Sequence, residues 1–229
     1  AETPGNFALE GLLDFLVSGD SRAVALRQHT EFFVYPQTNP AGRYGGYYRS
    51  NPENPDKDFN RFFNNPAGFT DLTALTAAMQ TDTSSDVDVL LDFHSWWGPW
   101  TSDNFIYTLP SLVNNPFFDE LQEYEPGISP TASNGQPGML RIWGSSLGGL
   151  NAELGMTPEL GFHPFIYESD LLSLGESFGL ALHATIVPEA TFPEGDFNED
   201  FRVDGLDFLT WQADGLTGTE LALWEAHCG

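Results

Sequence analysis

The sequence predicts an α/β domain, a mixed sheet flanked by helices, followed by a small all-α module that carries a calcium loop. Three observations lead there. Short apolar runs that read as strands alternate with segments of helical periodicity through about residue 184. A Pro- and Glu-bearing stretch, 188–195, then reads as a linker between a domain over 1–187 and a module over 196–229. Beyond it the composition shifts: residues 189–229 hold ten acidic residues and one basic residue, Arg202.

The elements follow in order. In Phe7–Val17 apolar residues recur at helical spacing, which predicts a helix ending near Gly19. Glu31–Tyr35 is a short apolar run stopped by Pro36 and reads as a buried strand. Residues 36–58, rich in Pro, Gly and Asn, form a long loop, and long loops inside compact domains are usually functional. Thr70–Thr81 reads as a helix and Asp86–Phe93 as a second buried strand, with His94 where that strand ends. Residues 98–138 read as irregular, Met139–Trp143 as a third strand and Glu168–Ala184 as a helix. In open α/β sheets the chemistry sits at the carboxyl ends of strands, where His94 is placed.

The 229 residues carry 33 acidic and 8 basic side chains, a formal charge of −25. Lys57 is the single lysine. Such a surface repels nucleic-acid phosphates and anionic membranes. No apolar run approaches the ~18 residues of a membrane span. Cys228 is the single cysteine, so no internal disulfide forms. The sequence starts at Ala1 with no signal peptide, which reads as a processed or partial product.

Three segments carry a catalytic argument. The first holds Asn39-Pro40-Ala41-Gly42, then Tyr48-Arg49-Ser50-Asn51, then Asp58-Phe59-Asn60-Arg61-Phe62-Phe63. The second is Leu91-Asp92-Phe93-His94-Ser95, and the third Asn151-Ala152-Glu153-Leu154 followed by Gly161-Phe162. Catalytic zinc takes three protein ligands, and a His at a strand end with a Glu from a preceding loop could supply two of them. A free carboxylate nearby can accept the proton of a zinc-bound water. An Arg beside a developing oxyanion stabilises it, and a planar guanidinium fits a terminal carboxylate bidentately.

In order and content these segments resemble the zinc carboxypeptidase family, including its cytosolic-carboxypeptidase-like branch, over about residues 1–184. The resemblance implies a zinc hydrolase that removes C-terminal residues from peptides. It implies zinc ligands at Glu2 and His94, a catalytic pair of Glu153 and Arg49, and substrate binding by Asn60 and Arg61. Glu159 competes with Glu153 for the base. Ala1-Glu2-Thr3-Pro4-Gly5 looks like the end of the family's His-x-x-Glu segment, so the third ligand, a His, is expected two residues before Ala1 and the chain alone is expected to lack it. The family's first strands and helices are expected to be missing too. Its mobile Tyr has no counterpart among Pro130-Thr131-Ala132-Ser133, and Tyr124 is the nearest upstream. Trp96, Trp97 and Trp100 suit either a cleft lining or packing.

Two other readings compete. Gly144-Ser145-Ser146-Leu147-Gly148 fits the Gly-x-Ser-x-Gly elbow of α/β serine esterases, with Ser146 as nucleophile and Asp170 and His183 as partners. A non-catalytic binding protein is the third reading, if the metal motif is incomplete.

In the tail, Asp196, Asn198, Asp200, Asp204 and Asp207 stand at positions 1, 3, 5, 9 and 12 of a calcium loop, and Arg202 at position 7 adds a backbone carbonyl. Phe201 replaces the usual Gly at position 6. Asp207-Phe208-Leu209-Thr210-Trp211 repeats as Glu220-Leu221-Ala222-Leu223-Trp224. The module resembles a dockerin, which implies bound calcium, a possible cohesin-like partner and a secreted or cell-surface protein; dockerins pair two loop-helix units, but here the second loop is too short for a full ligand set, so one ion is expected.

Overall fold

The computed structural model describes residues 3–47, 49–96, 104–161, 167–187, 195–197, 203, 205–214 and 218–228. It opens on two helices, α1 (Thr3–Val17) and α2 (Ser21–His29). Asp20 caps α2: its Oδ1 accepts from Arg22 N at 2.9 Å, and its carboxylate also pairs with the Arg22 guanidinium. That ion pair holds the Asp20 carboxyl below its usual range. After the short helix α3 (Pro40–Gly45) comes α4 (Thr70–Asp82).

The sheet holds five strands. β1 (Val89–Leu91) and β2 (His94–Trp96) both run parallel to β5 (Leu154–Gly161). Val89 faces Leu154 and His94 faces Glu159, the same offset, so β1 and β2 form one edge line interrupted at Asp92-Phe93. The interruption lies opposite Pro158, which has no N–H to donate to the ladder. β3 (Phe105–Thr108) lies antiparallel on the other side of β5, and β4 (Ser129–Ala132) parallel to β3. The remaining helices are α5 (Pro116–Tyr124), α6 (Leu140–Gly144), α7 (Glu168–Ile186), α8 (Gly205–Asp214) and α9 (Gly218–His227).

The main core packs α1, α5 and α7 against β3 and β5 through residues such as Leu12, Phe117, Met156, Leu160 and Phe178. α1 and α7 approach at backbone distance. A Cβ on Gly11 would stand 2.0 Å from Leu172 O, and one on Gly175 2.0 Å from Ala8 O, so only Gly fits either position. A second cluster, including Phe59, Phe69, Leu72 and Trp143, binds α4 and α6 to the other side of the β1 line. The α8–α9 pair closes around aromatic rings: Phe208 lies 5.4 Å from Trp211 and 5.1 Å from Trp224, the expected contact between the two short helices.

Four expectations need correction. Met139–Trp143 is not a strand, because Leu140–Gly144 turns into α6 with Trp143 and Arg141 both buried. The run is five residues long, too short for periodicity to separate helix from strand. Glu31–Tyr35 is extended but lies in no sheet, and its Phe33 and Val34 are each 39 % exposed rather than buried. The strand expected over Asp86–Phe93 shrinks to Val89–Leu91. The region 98–138 is more ordered than expected, since β3, α5 and β4 fall within it. Pro116 at the first turn and the Asn115 side chain bonded to Phe117 N mark the start of α5.

Candidate active site

The long loop and the β1 line meet at His94. Asp58 caps a single 3-10 turn, Phe59–Arg61, by accepting from Asn60 N at 3.0 Å. That turn aims Asn60 in two directions. Its Oδ1 accepts from Leu140 N, the first residue of α6, at 2.8 Å. Its Nδ2 therefore faces His94 Nε2 at 3.1 Å and donates to it. Asp92 Oδ1 stands 3.3 Å from the same nitrogen. Asp92 is buried, and its Oδ2 has no hydrogen-bond partner among the described residues.

The two expected arginines converge on Asp58. Arg49 bonds Asp58 Oδ2 through Nε at 3.0 Å and Nη2 at 2.9 Å, and Arg61 Nη1 lies 3.6 Å from the same oxygen. Arg61 Nη1 also bonds Asn60 O at 2.5 Å. Arg49 holds a left-handed backbone, φ +61°, a conformation that costs a side-chain-bearing residue about 1 kcal/mol. Its carbonyl is pinned by Phe59 N at 2.6 Å. Backbone strain of this kind gathers at functional sites. Asn60, Arg61, Arg49 and His94 are thus one connected cluster.

Glu153 is not part of it. Glu153 is exposed, its N–H bonds Val87 O, and it precedes β5 at the end where Val89 faces Leu154. His94 faces Glu159, six residues further along β5, about 20 Å at ~3.3 Å per residue. Glu159 is the carboxylate carried to the His94 end of the sheet. Both glutamates precede a Leu, so local sequence did not separate them; the register does.

Arg141 is a participant that the sequence reading missed. It is fully buried, and among the described residues only its Nη1 has a partner, Ser133 O at 3.2 Å, while Nε and Nη2 have none. Burial pushes its guanidinium below the usual pKa, opposed by the fields of Asp92, Tyr107 and Glu159. An Arg among four apolar neighbours in a supposed strand was the available signal.

Of the other expected residues, Glu2 lies outside the described residues, as do Tyr48, Trp97, Trp100 and Phe162, and the Trp96 side chain. Among the described residues no group of three or more His, Cys, Asp or Glu side chains is gathered closely enough to hold a metal ion. The described residues alone do not complete a catalytic zinc centre, which takes three protein ligands. Ser146 follows a helix, not a strand, and its hydroxyl donates to Trp143 O at 2.6 Å. The strand–turn–helix context of a nucleophile elbow is absent there.

In the tail, Asp196 and Asp207 are both buried, and Asp207 Oδ1 accepts from Phe197 N at 2.7 Å. The two ends of the expected calcium loop are therefore joined. Asn198, Asp200, Arg202 and Asp204 lie outside the described residues.

No protein-family model matches the chain. Over 99 residues, 41% of its length, it is 33% identical to cytosolic carboxypeptidase 6 of Mus musculus and 32% identical to that of Homo sapiens. The match covers 18% of the mouse protein and 19% of the human one, so the chain spans about a fifth of these relatives. Among solved structures it is similar to a metallo-carboxypeptidase from Burkholderia cenocepacia (TM-score 0.67, 18% identity) and to a carboxypeptidase from Burkholderia mallei (TM-score 0.63, 19% identity). Each likeness covers 81% of this chain and about half of the other chain, 55% and 54%. The mixed sheet flanked by helices is the metallo-carboxypeptidase fold.

Proposed function

We propose that this chain carries much of the active site of a zinc-dependent metallocarboxypeptidase-type hydrolase that removes C-terminal residues from peptides. The observation that supports it best is the connected cluster of His94, Asn60, Arg61 and Arg49, assembled from distant segments on a fold shared with metallo-carboxypeptidases. Glu2, and the His that opens the family's His-x-x-Glu segment, would complete the metal's ligands with His94. Bound there, zinc would supply a Lewis acid and lower the pKa of a coordinated water.

The chain's own residues have separate tasks. Asn60 orients the His94 ring through its contact with Nε2, a contact that a metal bound at that nitrogen would displace. Glu159, at the His94 end of β5, takes the water proton. Arg49 and Arg61 share one carboxylate, Asp58, in this structure. A substrate carboxylate that displaced Asp58 from Arg61 would find a planar donor pair beside the Asn60 amide. Arg49 would remain to face the developing oxyanion.

The test uses protein carrying the third ligand and loaded with zinc. Glu159→Gln is expected to keep the metal and lose ~100-fold or more of peptide turnover, while Glu153→Gln stays within about twofold. His94→Ala is expected to lose stoichiometric zinc. Full zinc content in His94→Ala, or the reverse ranking of the two glutamates, overturns the assignment.

A specific observation favours a second function for the tail. With Asp207 tied to Phe197 N, the loop ends are already together, and a calcium ion among Asp196, Asn198, Asp200, Asp204, Asp207 and the Arg202 carbonyl would neutralise the crowded charge. One ion per chain is expected by isothermal titration, and none after Asp196→Ala with Asp207→Ala. A dockerin-like tail of this kind would suit a cohesin-like partner and a secreted or cell-surface protein.

A further inference from the structure

Arg49, Asp58, Asn60, Asp92 and His94 line one cleft of about 600 Å³, with β1 and the run Glu31–Tyr35 also on its walls. Within it one carboxylate serves three neighbours. Asp58 Oδ1 accepts from Asn60 N at 3.0 Å and so closes the turn that carries Asn60. Asp58 Oδ2 accepts from Arg49 Nε at 3.0 Å and stands 2.9 Å from Arg49 Nη2, so it takes up one whole edge of that guanidinium. Arg61 Nη1 lies 3.6 Å from the same oxygen, beyond hydrogen-bond reach, and bonds Asn60 O instead. The distances rank the two arginines: Asp58 holds Arg49 and only faces Arg61.

The Arg49 backbone is fixed by contacts that Asp58 does not make. Phe59 N donates to Arg49 O at 2.6 Å. Ser50 and Asn51, which follow Arg49, are buried, and Ser50 O accepts from Asn39 Nδ2 at 2.9 Å. What these contacts leave open is the direction of a long side chain, and the Asp58 carboxylate sets it.

We propose that Asp58 is the positioning residue of this site. Its Oδ2 orients the Arg49 guanidinium, and its Oδ1 sets the turn that brings the Asn60 amide to 3.1 Å from His94 Nε2. This role rests on the reading of the cleft as a metallocarboxypeptidase-type active site in which Arg49 faces the developing oxyanion. Asp58 touches neither substrate nor metal there; it acts through Arg49 and Asn60. Groups that meet the reacting atoms stay in place only when a supporting layer locks their rotamers. An arginine that swings meets the oxyanion in fewer of its conformers, so the loss falls on kcat. The ion pair is part-exposed and contributes little to stability, which separates its service to the site from any service to the fold.

Two substitutions divide the two tasks. Asp58→Asn keeps an oxygen for the Asn60 cap and turns an amide N–H toward Arg49, donor against donor. Asp58→Ala loses both. The first measurement uses the chain without metal: the Arg49 Nε–H resonance, assigned by its loss in Arg49→Lys, is expected to exchange with solvent at least about tenfold faster in Asp58→Asn. The second uses the zinc-loaded protein of the site test. Asp58→Asn is expected to lower kcat about tenfold with KM within about twofold, and to leave zinc content and the urea midpoint in place. Asp58→Ala is expected to raise KM about fivefold as well, since Asn60 and Arg61 lose their turn. On an Arg49→Met background, Asp58→Asn should cost less than about twofold more, because its effect passes through Arg49. Unchanged Nε–H exchange in Asp58→Asn, or its full tenfold cost on the Arg49→Met background, overturns the proposal. A lower KM with kcat unchanged also overturns it, since Asp58 would then compete with the substrate carboxylate. Failure of the underlying reading looks different: Arg49→Met itself would leave turnover unchanged, which removes any catalytic service from Asp58 whatever the resonance does.

Discussion

The two faces of β5 show how differently one strand can be used. Leu154, Met156 and Leu160 are buried in the main core under α1, α5 and α7. Gly155, Thr157 and Glu159 alternate to the opposite face, where a Cβ on Gly155 would stand 2.1 Å from Ser145 Oγ. Around that second face lie buried polar atoms with no hydrogen-bond partner among the described residues: Thr157 Oγ1, Ser145 Oγ, Asp92 Oδ2, and Nε and Nη2 of Arg141. The first face gains stability from apolar burial. The second retains desolvated polar groups at a cost to stability, a pattern typical of places where a substrate, ion or water completes the bonding.

The largest effect expected from this contrast is on the apolar face. Phe178 is fully buried and meets Phe93 and Phe117 edge-on or tilted at 5.4 and 6.1 Å. Phe178→Ala is expected to lose about 3–5 kcal/mol of unfolding free energy, measured in urea, because the cavity sits between helices that already touch at Gly11 and Gly175. A loss under about 1 kcal/mol would mean that the two faces contribute alike.

How much of this was legible in the sequence divides along the same line. The apolar periodicity of α1 and α7 and the aromatic repeat of α8 and α9 could be read, since each depends on local spacing, whereas His94, expected where a strand ends, instead opens β2. Asn60 and Arg61 beside His94 could be read from their order along the chain. The proposed base could not: Glu153-Leu154 and Glu159-Leu160 look alike until the β2–β5 register sets Glu159 against His94. Arg141 was hidden because Leu-Arg-Ile-Trp has no period, so the run passed as a strand. Glu31–Tyr35 reads as a strand by propensity, but a strand also needs a partner edge, and β1 lies across an open cleft from it.

A smaller effect is expected at Arg141. Its burial cost is the leading influence on its guanidinium, ahead of the favourable fields of Asp92, Tyr107 and Glu159, and it keeps one hydrogen bond. Replacing such a buried charge by an apolar side chain of similar volume is often neutral. Arg141→Met is therefore expected to shift stability by less than about 1 kcal/mol while impairing turnover of the zinc-loaded enzyme. A loss as large as that of Phe178→Ala would show that its ion contacts outweigh its burial.

The smallest effect expected is a pH dependence at the far end of α7. His183 is part-buried, its Nε2 has no partner among the described residues, and its pKa is lowered by burial first and by the Arg22 charge second, with Asp20 opposing. The unfolded chain, with an ordinary His, binds a proton near pH 6.5, before the folded chain does. Between the folded pKa and that value the unfolded state carries more protons, so stability rises with pH. The contribution is complete above about pH 6.5 and is lost as pH falls through the folded pKa. Other groups titrate across the same range, and the formal charge of −25 makes self-repulsion ease as acid is added, which acts in the opposite direction. The measurement is therefore a difference: unfolding free energy of the wild type minus that of His183→Gln, followed from pH 7.5 to 5. The difference is expected to move against the wild type as the pH falls. A flat difference would mean that His183 takes up its proton equally in both states, and that the apolar face is as tolerant of charge at its margin as the polar face is at its centre.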